Sequence, residues 1–279
     1  MGTCRDGGIG RHARLKIWCP SGRAGSSPAR GTIFKYDWMY HMAIEVFPVV
    51  HINDIREAAD QASVAFEAGA DGVYLIDHRA GVPTRLINTF NDVAKEHPDK
   101  FVGVNYLQYD SAATAFDDVL LRESANELVR LPDGIWVDNA DQSKETTMKI
   151  RADFPHLNAI RYLGGVAFKY TDFYKEDPEE AAHEATRLMD YVDVVTTSGR
   201  GTGYAPSPEK IARMKEAIGP DKKLAVASGI SSENIAQYGQ TFDQLLVSTS
   251  IETEPYSGIF IPSRVAELIK RAREQSVQV

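Results

Sequence analysis

From Glu45 onward the chain repeats one pattern eight times: a short β-rich run, a polar turn, then a longer stretch with helical spacing. The β-runs read 45–51, 72–77, 101–107, 134–138, 159–163, 192–197, 224–227 and 244–249. Most are continuously apolar rather than alternating, as parallel strands covered on both faces are. Helical patterns occupy 53–68, 84–97, 112–130, 144–154, 178–190 and 232–238, with two more beginning near Pro208 and Pro262. Their ends carry helix punctuation. Ser207-Pro208 supplies a cap and then a proline at the first helical position, Ile211, Met214 and Ile218 mark one face, and Gly219-Pro220 stops the helix. Eight strand–helix pairs fit a (β/α)8 TIM barrel, typically ~250 residues long. A doubly wound open sheet shows the same alternation, but the count of eight favours the barrel, as does the lack of a G-x-G-x-x-G after the first run. No linker or low-complexity segment interrupts residues 42–279, which read as a single domain.

Residues 1–41 stand apart. They hold seven basic residues and two acidic ones, a net charge of +5, both cysteines (Cys4, Cys19) and two of the three tryptophans. Of 31 basic and 39 acidic groups in the whole chain, 24 and 37 remain in the body, a net of −13. The tail has no sustained period of 3.6 or 2. A transit peptide would need an amphipathic stripe that is missing, and a nucleic-acid arm would be opposed by the acidic body. Gly25-Ser26-Ser27-Pro28 can be encoded by a transfer-RNA T-loop sequence, so the tail is expected to be non-native or disordered, with the true start at Met39 or Met42. A thiol-free body argues against a disulfide scaffold. No run approaches the ~18 apolar residues of a membrane span, so neither nucleic acid nor membrane insertion is expected.

Barrels carry their chemistry at the C-terminal ends of the strands. Here those ends offer His51, Asp77, His78, Asn105, Asp138, Asn139 and Lys169. Asp77 and Asp138 are expected to face each other across the mouth and to divide acid and base roles with His51. Such a pair leaves a divalent metal open, but no H-E-x-x-H or Cys/His cluster supports one, and no cofactor is expected. Lys169 reads first as an exposed loop lysine, with a Schiff base or a phosphate contact as alternatives.

The anion signal lies further along. Ser228-Gly229-Ile230-Ser231 follows the seventh strand into a helical pattern, and Ser248-Thr249-Ser250 closes the eighth. A glycine, hydroxyls and a helix N-terminus together make an anion site, and barrels often hold phosphate between these two loops. Ser198-Gly199-Arg200-Gly201-Thr202-Gly203, after the sixth strand, is the best lid candidate and a second cradle. Phosphate contacts are therefore expected from Ser198, Gly199, Thr202, Gly203, Ser228, Gly229, Thr249 and Ser250.

The stretch from Phe47 to Arg273 resembles the BtpA/SgcQ family of ribulose-phosphate-binding-type barrels. The resemblance rests on Ala68-Gly69-Ala70-Asp71-Gly72-Val73, Val102-Gly103-Val104-Asn105, Ser198-Gly199, Thr202-Gly203, Ser228-Gly229-Ile230, Glu233-Asn234 and Thr249-Ser250-Ile251. It implies a barrel, and it links the chain to photosystem I biogenesis or to sugar-utilisation gene clusters. The chain departs from the family at Ile52-Asn53-Asp54, at Gly165 and Ala167 on the fifth strand, at Ser248 and at Glu252, while Lys169 is retained.

The sequence thus leads to a cytoplasmic enzyme acting on a small phosphorylated metabolite, a sugar phosphate or nucleotide-like compound. Its chemistry would be proton transfer of the isomerase, epimerase or aldolase type. His51, Asp77, Asn105, Asp138 and Lys169 are the catalytic candidates, and homo-oligomerisation is left open. The rival is a non-catalytic BtpA-like biogenesis, assembly or regulatory factor.

Overall fold

The computed structural model describes residues 43–79, 81–109 and 111–275; residues 1–41, with their expected non-native start, lie outside the described residues. Eight parallel strands close into a barrel: β1 (Glu45–His51), β2 (Gly72–Ile76), β3 (Phe101–Asn105), β4 (Gly134–Val137), β5 (Arg161–Gly165), β6 (Val194–Ser198), β7 (Lys223–Ala227) and β8 (Gln244–Val247). They neighbour one another in chain order. β8 closes on β1 with Glu45 opposite Gln244 and Pro48 opposite Val247. Around them lie α1 (Ile55–Glu67), α2 (Thr84–Glu96), α3 (Ala112–Ser124), α4 (Lys144–Asp153), α5 (Pro178–Leu188), α6 (Pro208–Ile218) and α7 (Pro262–Glu274). The expected barrel is therefore present.

Three local expectations change. The 232–238 segment is a three-residue 3-10 turn, Ile235–Gln237, so seven rather than eight α-helices occur among the described residues. Asn234 causes this by folding back on its own loop. Its amide donates to the Gly229 carbonyl at 2.9 Å and accepts the Ser231 N–H at 2.8 Å, and Gly239 turns the chain at φ +53°. Helix α3 stops at Ser124 instead of 130 because Asn126 takes a left-handed conformation (φ +58°) and Asn91 ties down Glu127 and Val129. Strand β5 starts at Arg161 because Pro155–Ala159 form a 3-10 turn, and it runs on through Gly164 and Gly165.

Alternation along each strand sorts the side chains into two shells. Val46, Val50, Leu75, Val104 and Ile135 point outward and pack under the helices with Phe90, Phe116 and Leu268. Phe47, Tyr74, Trp136, Leu163, Phe168 and Leu246 fill the barrel itself. Burying a side chain of this size contributes about 1.5–3 kcal/mol. Gly103 and Gly134 face Tyr74, and a Cβ at either position would overlap its ring. Two strands thus give up side chains so that one tyrosine can cross the barrel. At the N-terminal ends, Glu45 closes the floor. Its carboxylate accepts from Lys223 Nζ and Gln244 Nε2, each at 2.7 Å, while the Arg161 guanidinium lies 5.0 Å from the Phe101 ring.

Candidate functional site

Strand parity decides which residues reach the mouth. On β2, Tyr74 and Ile76 point into the barrel, so the next inward side chain is His78, and Asp77 turns out toward α2. There Arg85 Nε donates to Asp77 Oδ2 at 2.7 Å and its Nη2 bonds the other oxygen, while Arg79 N–H donates at 2.9 Å. Burial opposes ionisation of Asp77, but these arginine contacts outweigh it and hold the carboxyl below its usual range. Asp77 lines a neighbouring hollow, so the expected facing pair of carboxylates is not formed.

The mouth instead gathers His51, His78, Lys169, Thr202, Ser228, Ser248, Thr249 and Tyr256 around a cavity of about 80 Å³ floored by Val49, Ile76, Trp136, Ala227 and Leu246. Lys169 is the centre of it. Its Nζ donates to Ser228 Oγ and, at 3.2 Å, to Thr202 Oγ1. Its own N–H is accepted by Ser198 Oγ at 2.9 Å, which aims the side chain inward. Lys169 is thus half-buried in the site and not an exposed loop lysine. Burial pushes its pKa down, against the charge of Asp138. The His51 and His78 rings lie 4.9 Å apart. Burial, reinforced by His78 and Lys169, lowers the His51 pKa to about 4, so His51 is a neutral imidazole at pH 7. Burial and Lys169 also lower His78, with Asp77 opposing.

Asp138 and Asn105 stand on the β3–β4 side, within charge reach of Lys169. Asn105 is fully buried; its Nδ2 donates to Asp138 Oδ1 at 3.3 Å, and its Oδ1 has no partner among the described residues. Thr196 Oγ1 and Trp136 Nε1 are likewise buried and unpartnered. Buried polar atoms are normally satisfied, and these three, with Tyr74 Oη, are inward-facing atoms left without a partner among the described residues. Desolvation raises the Asp138 pKa to about 6, against the Asn105 amide and the Lys169 charge. A carboxyl titrating there exchanges protons readily near neutral pH.

The two expected anion loops are built differently from expectation. With only a 3-10 turn after β7, the Ser228–Ser231 loop does not lead into an α-helix N-terminus. What remains are amides: the N–H groups of Gly229, Thr249 and Ser250 donate to no other group among the described residues. Ser250 Oγ is committed to the Ile230 carbonyl at 3.0 Å, and Ser248 Oγ donates to Glu252, so these hydroxyls are withdrawn. Ser198 is fully buried and bonds Lys169 N–H and the Gly199 carbonyl. Gly199 and Gly229 both press against the 204–205 backbone, where any Cβ would overlap it, and Gly203 makes an open turn at φ +81°. Of the phosphate candidates, Thr202, Ser228 and Thr249 line the cavity, while Ser198, Gly199 and Gly203 shape it. Arg200 stacks on Tyr204, 4.3 Å from its centroid, and faces another hollow.

Two buried ionisable residues lie outside the expected catalytic and phosphate sets. Lys210 on α6 is fully buried and donates to the carbonyls of Ala167 (3.1 Å) and Ser198 (2.9 Å), tying the ends of β5 and β6 together beneath Lys169. Burial lowers its pKa to about 8. Its place beside Ile211 and Met214 in the apolar stripe was the available signal. Glu252, where the chain departs from the family, is fully buried, with Ser248 Oγ and Tyr256 N–H donating to it. Of six described non-glycine residues at positive φ, four (Ala167, Tyr170, Ser228 and Tyr256) surround this mouth. Backbone strain of this kind concentrates at functional sites. Among the described residues, no three His, Cys, Asp or Glu side chains converge as a metal site, and no helix is long and apolar enough to cross a membrane.

The architecture and its mouth define the chain as a (β/α)8 barrel with a polar cavity at the C-terminal ends of its strands. No protein-family model matches the sequence, and no curated protein matches it. Solved structures do. A phosphoribosylanthranilate isomerase from Thermotoga maritima is 16% identical with a TM-score of 0.55, over 82% of this chain and 99% of that one. A thiamine phosphate pyrophosphorylase from Pyrococcus furiosus is 15% identical with a TM-score of 0.55, over 83% and 96%. A geranylgeranylglyceryl phosphate synthase from Thermoplasma acidophilum, in complex with its substrate sn-glycerol-1-phosphate, is 13% identical with a TM-score of 0.55, over 83% and 94%. At these identities the likeness is one of fold.

Proposed function

We propose that the chain is a cytoplasmic enzyme that binds a small phosphorylated metabolite and moves a proton on it, in an isomerase, epimerase or aldolase-type reaction. The observation that carries this reading is the placement of Lys169 Nζ between Ser228 and Thr202, in a cavity that Thr249 also lines. A cation and hydroxyls, with the free N–H groups of the same loops, are donors of the kind a phosphate dianion requires. Asp138, with its pKa near 6, is mostly ionised at pH 7 and is the base candidate, neutral His51 is a hydrogen-bonding partner at the mouth, and the unpartnered Asn105 Oδ1 beside Asp138 can orient a substrate hydroxyl. The phosphorylated compounds named for the solved structures above agree with such a site.

The test has two arms. Thermal shift against a panel of phosphorylated sugars and nucleotides reads binding; a ligand at 100 times its Kd stabilises by about 2.7 kcal/mol. Proton NMR in deuterium oxide then reads loss of a carbon-bound hydrogen from the bound compound. Lys169→Met is expected to abolish binding, and Asp138→Asn to retain binding while stopping exchange. No response from any phosphorylated compound would sink the reading.

Binding without exchange would favour a second one, the non-catalytic assembly or regulatory role that the BtpA/SgcQ resemblance suggests. Gly165 and Ala167 support that alternative. They stand where the family carries an acid and an imidazole, and a Cβ at Gly165 would overlap the Asp138 backbone.

A further inference from the structure

Tyr256 sits at an odd place for a tyrosine. It is 58% exposed, lines the cavity next to His51 and Thr249, and holds a left-handed backbone conformation, φ +68°. A bulky aromatic residue is a conformational outlier there. The surrounding hairpin is built to keep it so. Thr253 N–H donates to the Ile259 carbonyl and Ile261 N–H to the Ile251 carbonyl, both at 2.8 Å. Asn53 Nδ2 fastens the Ser257 carbonyl to the end of β1 at 3.1 Å. Beneath the tip, fully buried Glu252 accepts the Tyr256 N–H at 2.7 Å. Burying a carboxylate is unfavourable unless hydrogen bonds compensate it, and this one is compensated by the loop whose tip carries Tyr256. The exposed ring gains little from packing in return, so folding explains the buried acid but not the strain at Tyr256.

The size of the cavity says what the ring meets. The narrow part of the cavity, about 80 Å³, suits a phosphate-sized group, and the pocket opens outward past Tyr256. The remainder of any ligand held at Lys169 must lie at the rim, where Tyr256 stands. The wall below it is also aromatic, with His51, His78 and Trp136. His51 is uncharged at neutral pH, so the wall suits a planar ring better than a hydroxyl-rich chain.

We propose that Tyr256 is a specificity-determining residue, the stacking platform for a planar ring carried by the ligand. The preferred class is then ring-bearing phosphate esters of nucleoside monophosphate size over open-chain or furanose sugar phosphates. This deepens, and rests on, the reading of Lys169 and its neighbours as a phosphate site.

The experiment uses the full chain and three probes in calorimetric titration: inorganic phosphate, ribose 5-phosphate and adenosine monophosphate. Stacking on an aromatic side chain corresponds to about 5- to 150-fold in affinity, so adenosine monophosphate is expected to bind that much more tightly than ribose 5-phosphate. Tyr256→Asn removes the ring while keeping a residue that tolerates positive φ, and the ratio of the two affinities should fall toward one. Tyr256→Phe should preserve it. An unchanged ratio in Tyr256→Asn, or no preference in the parent protein, overturns the proposal. Adenosine monophosphate binding that is unchanged by Lys169→Met, in a parent protein that does not bind inorganic phosphate, would instead overturn the phosphate reading and leave Tyr256 as a ring platform. No binding of any probe overturns both.

Discussion

Replacing Asp138 by asparagine should make the protein more stable at neutral pH, although Asp138 belongs to the candidate site. Its carboxyl is desolvated in the fold, and its pKa rises from 3.8 to about 6. Each tenfold change in proton affinity corresponds to about 1.36 kcal/mol, so the linked effect is about 3 kcal/mol at most. The sign follows from proton binding. Below about pH 3 both the folded and unfolded chains carry the proton, and the residue's contribution is fully present. As pH rises toward 6 the unfolded chain releases it while the folded chain retains it, and stability is lost; above 6 the loss is complete. Asparagine keeps an oxygen for the Asn105 amide, which donates to Asp138 Oδ1 at 3.3 Å, and has no charge to desolvate. Urea unfolding followed by circular dichroism, for both proteins at half-unit steps from pH 4 to 8, measures the difference directly. It should be smallest at pH 4, grow between 4 and 6, and level off above. For a barrel of this size, about 3 kcal/mol corresponds to roughly 6–12 °C in Tm. A difference that does not vary with pH, or a variant less stable at pH 8, would refute the desolvation argument.

Other expectations follow from the same structure. Tyr74 Oη is buried without a partner, so Tyr74→Phe should be neutral or stabilise by about 1–2 kcal/mol; a loss of more than 1 kcal/mol in thermal unfolding would show a hidden partner. Gly229 and Gly219 share positive φ (+75° and +78°), but only Gly229 has backbone in the way of a Cβ. Gly219→Ala should cost about 1 kcal/mol and Gly229→Ala clearly more, through overpacking as well as conformation; equal losses in chemical denaturation would contradict the close approach of the two loops. His51 should titrate near pH 4 in an NMR series, well below an ordinary histidine; a midpoint near 6.5 would mean that the mouth is far wetter than described.

Much of the barrel was legible because each strand is a buried apolar run bounded by turn residues. The expected limits of the first strand, 45–51, coincide with β1. Errors arose where a residue's tertiary role opposes its local preference. The expected fifth strand ends at 163, yet Gly164 and Gly165 continue β5, where Ala140, Val192 and the Asp138 backbone leave no room for side chains. The 127–130 segment reads as helix, and one left-handed asparagine before it is enough to stop α3. At the site, the loops carrying Ser228 and Thr249 could be found from their glycine and hydroxyls, whereas Asp77 was misplaced by a parity of one residue. Counting inward positions from Tyr74 and Ile76 leads to His78 instead. Lys169 and Tyr256 depend on contacts across more than one loop, Lys169 reaching Ser228 from 59 positions away, and no spacing rule reports those.

The floor that Glu45 forms with Lys223 and Gln244 bears on traffic as well as on stability. Tyr74 blocks the barrel above it, so a molecule resting on Lys169 has no passage through the far end. Arrival and departure share one doorway, framed by Tyr256 on the β1–β8 side and Thr202 on the other. Under the proposed function, product would back out past the same tyrosine before fresh substrate could enter, so tighter stacking there would slow turnover even as it sharpened choice.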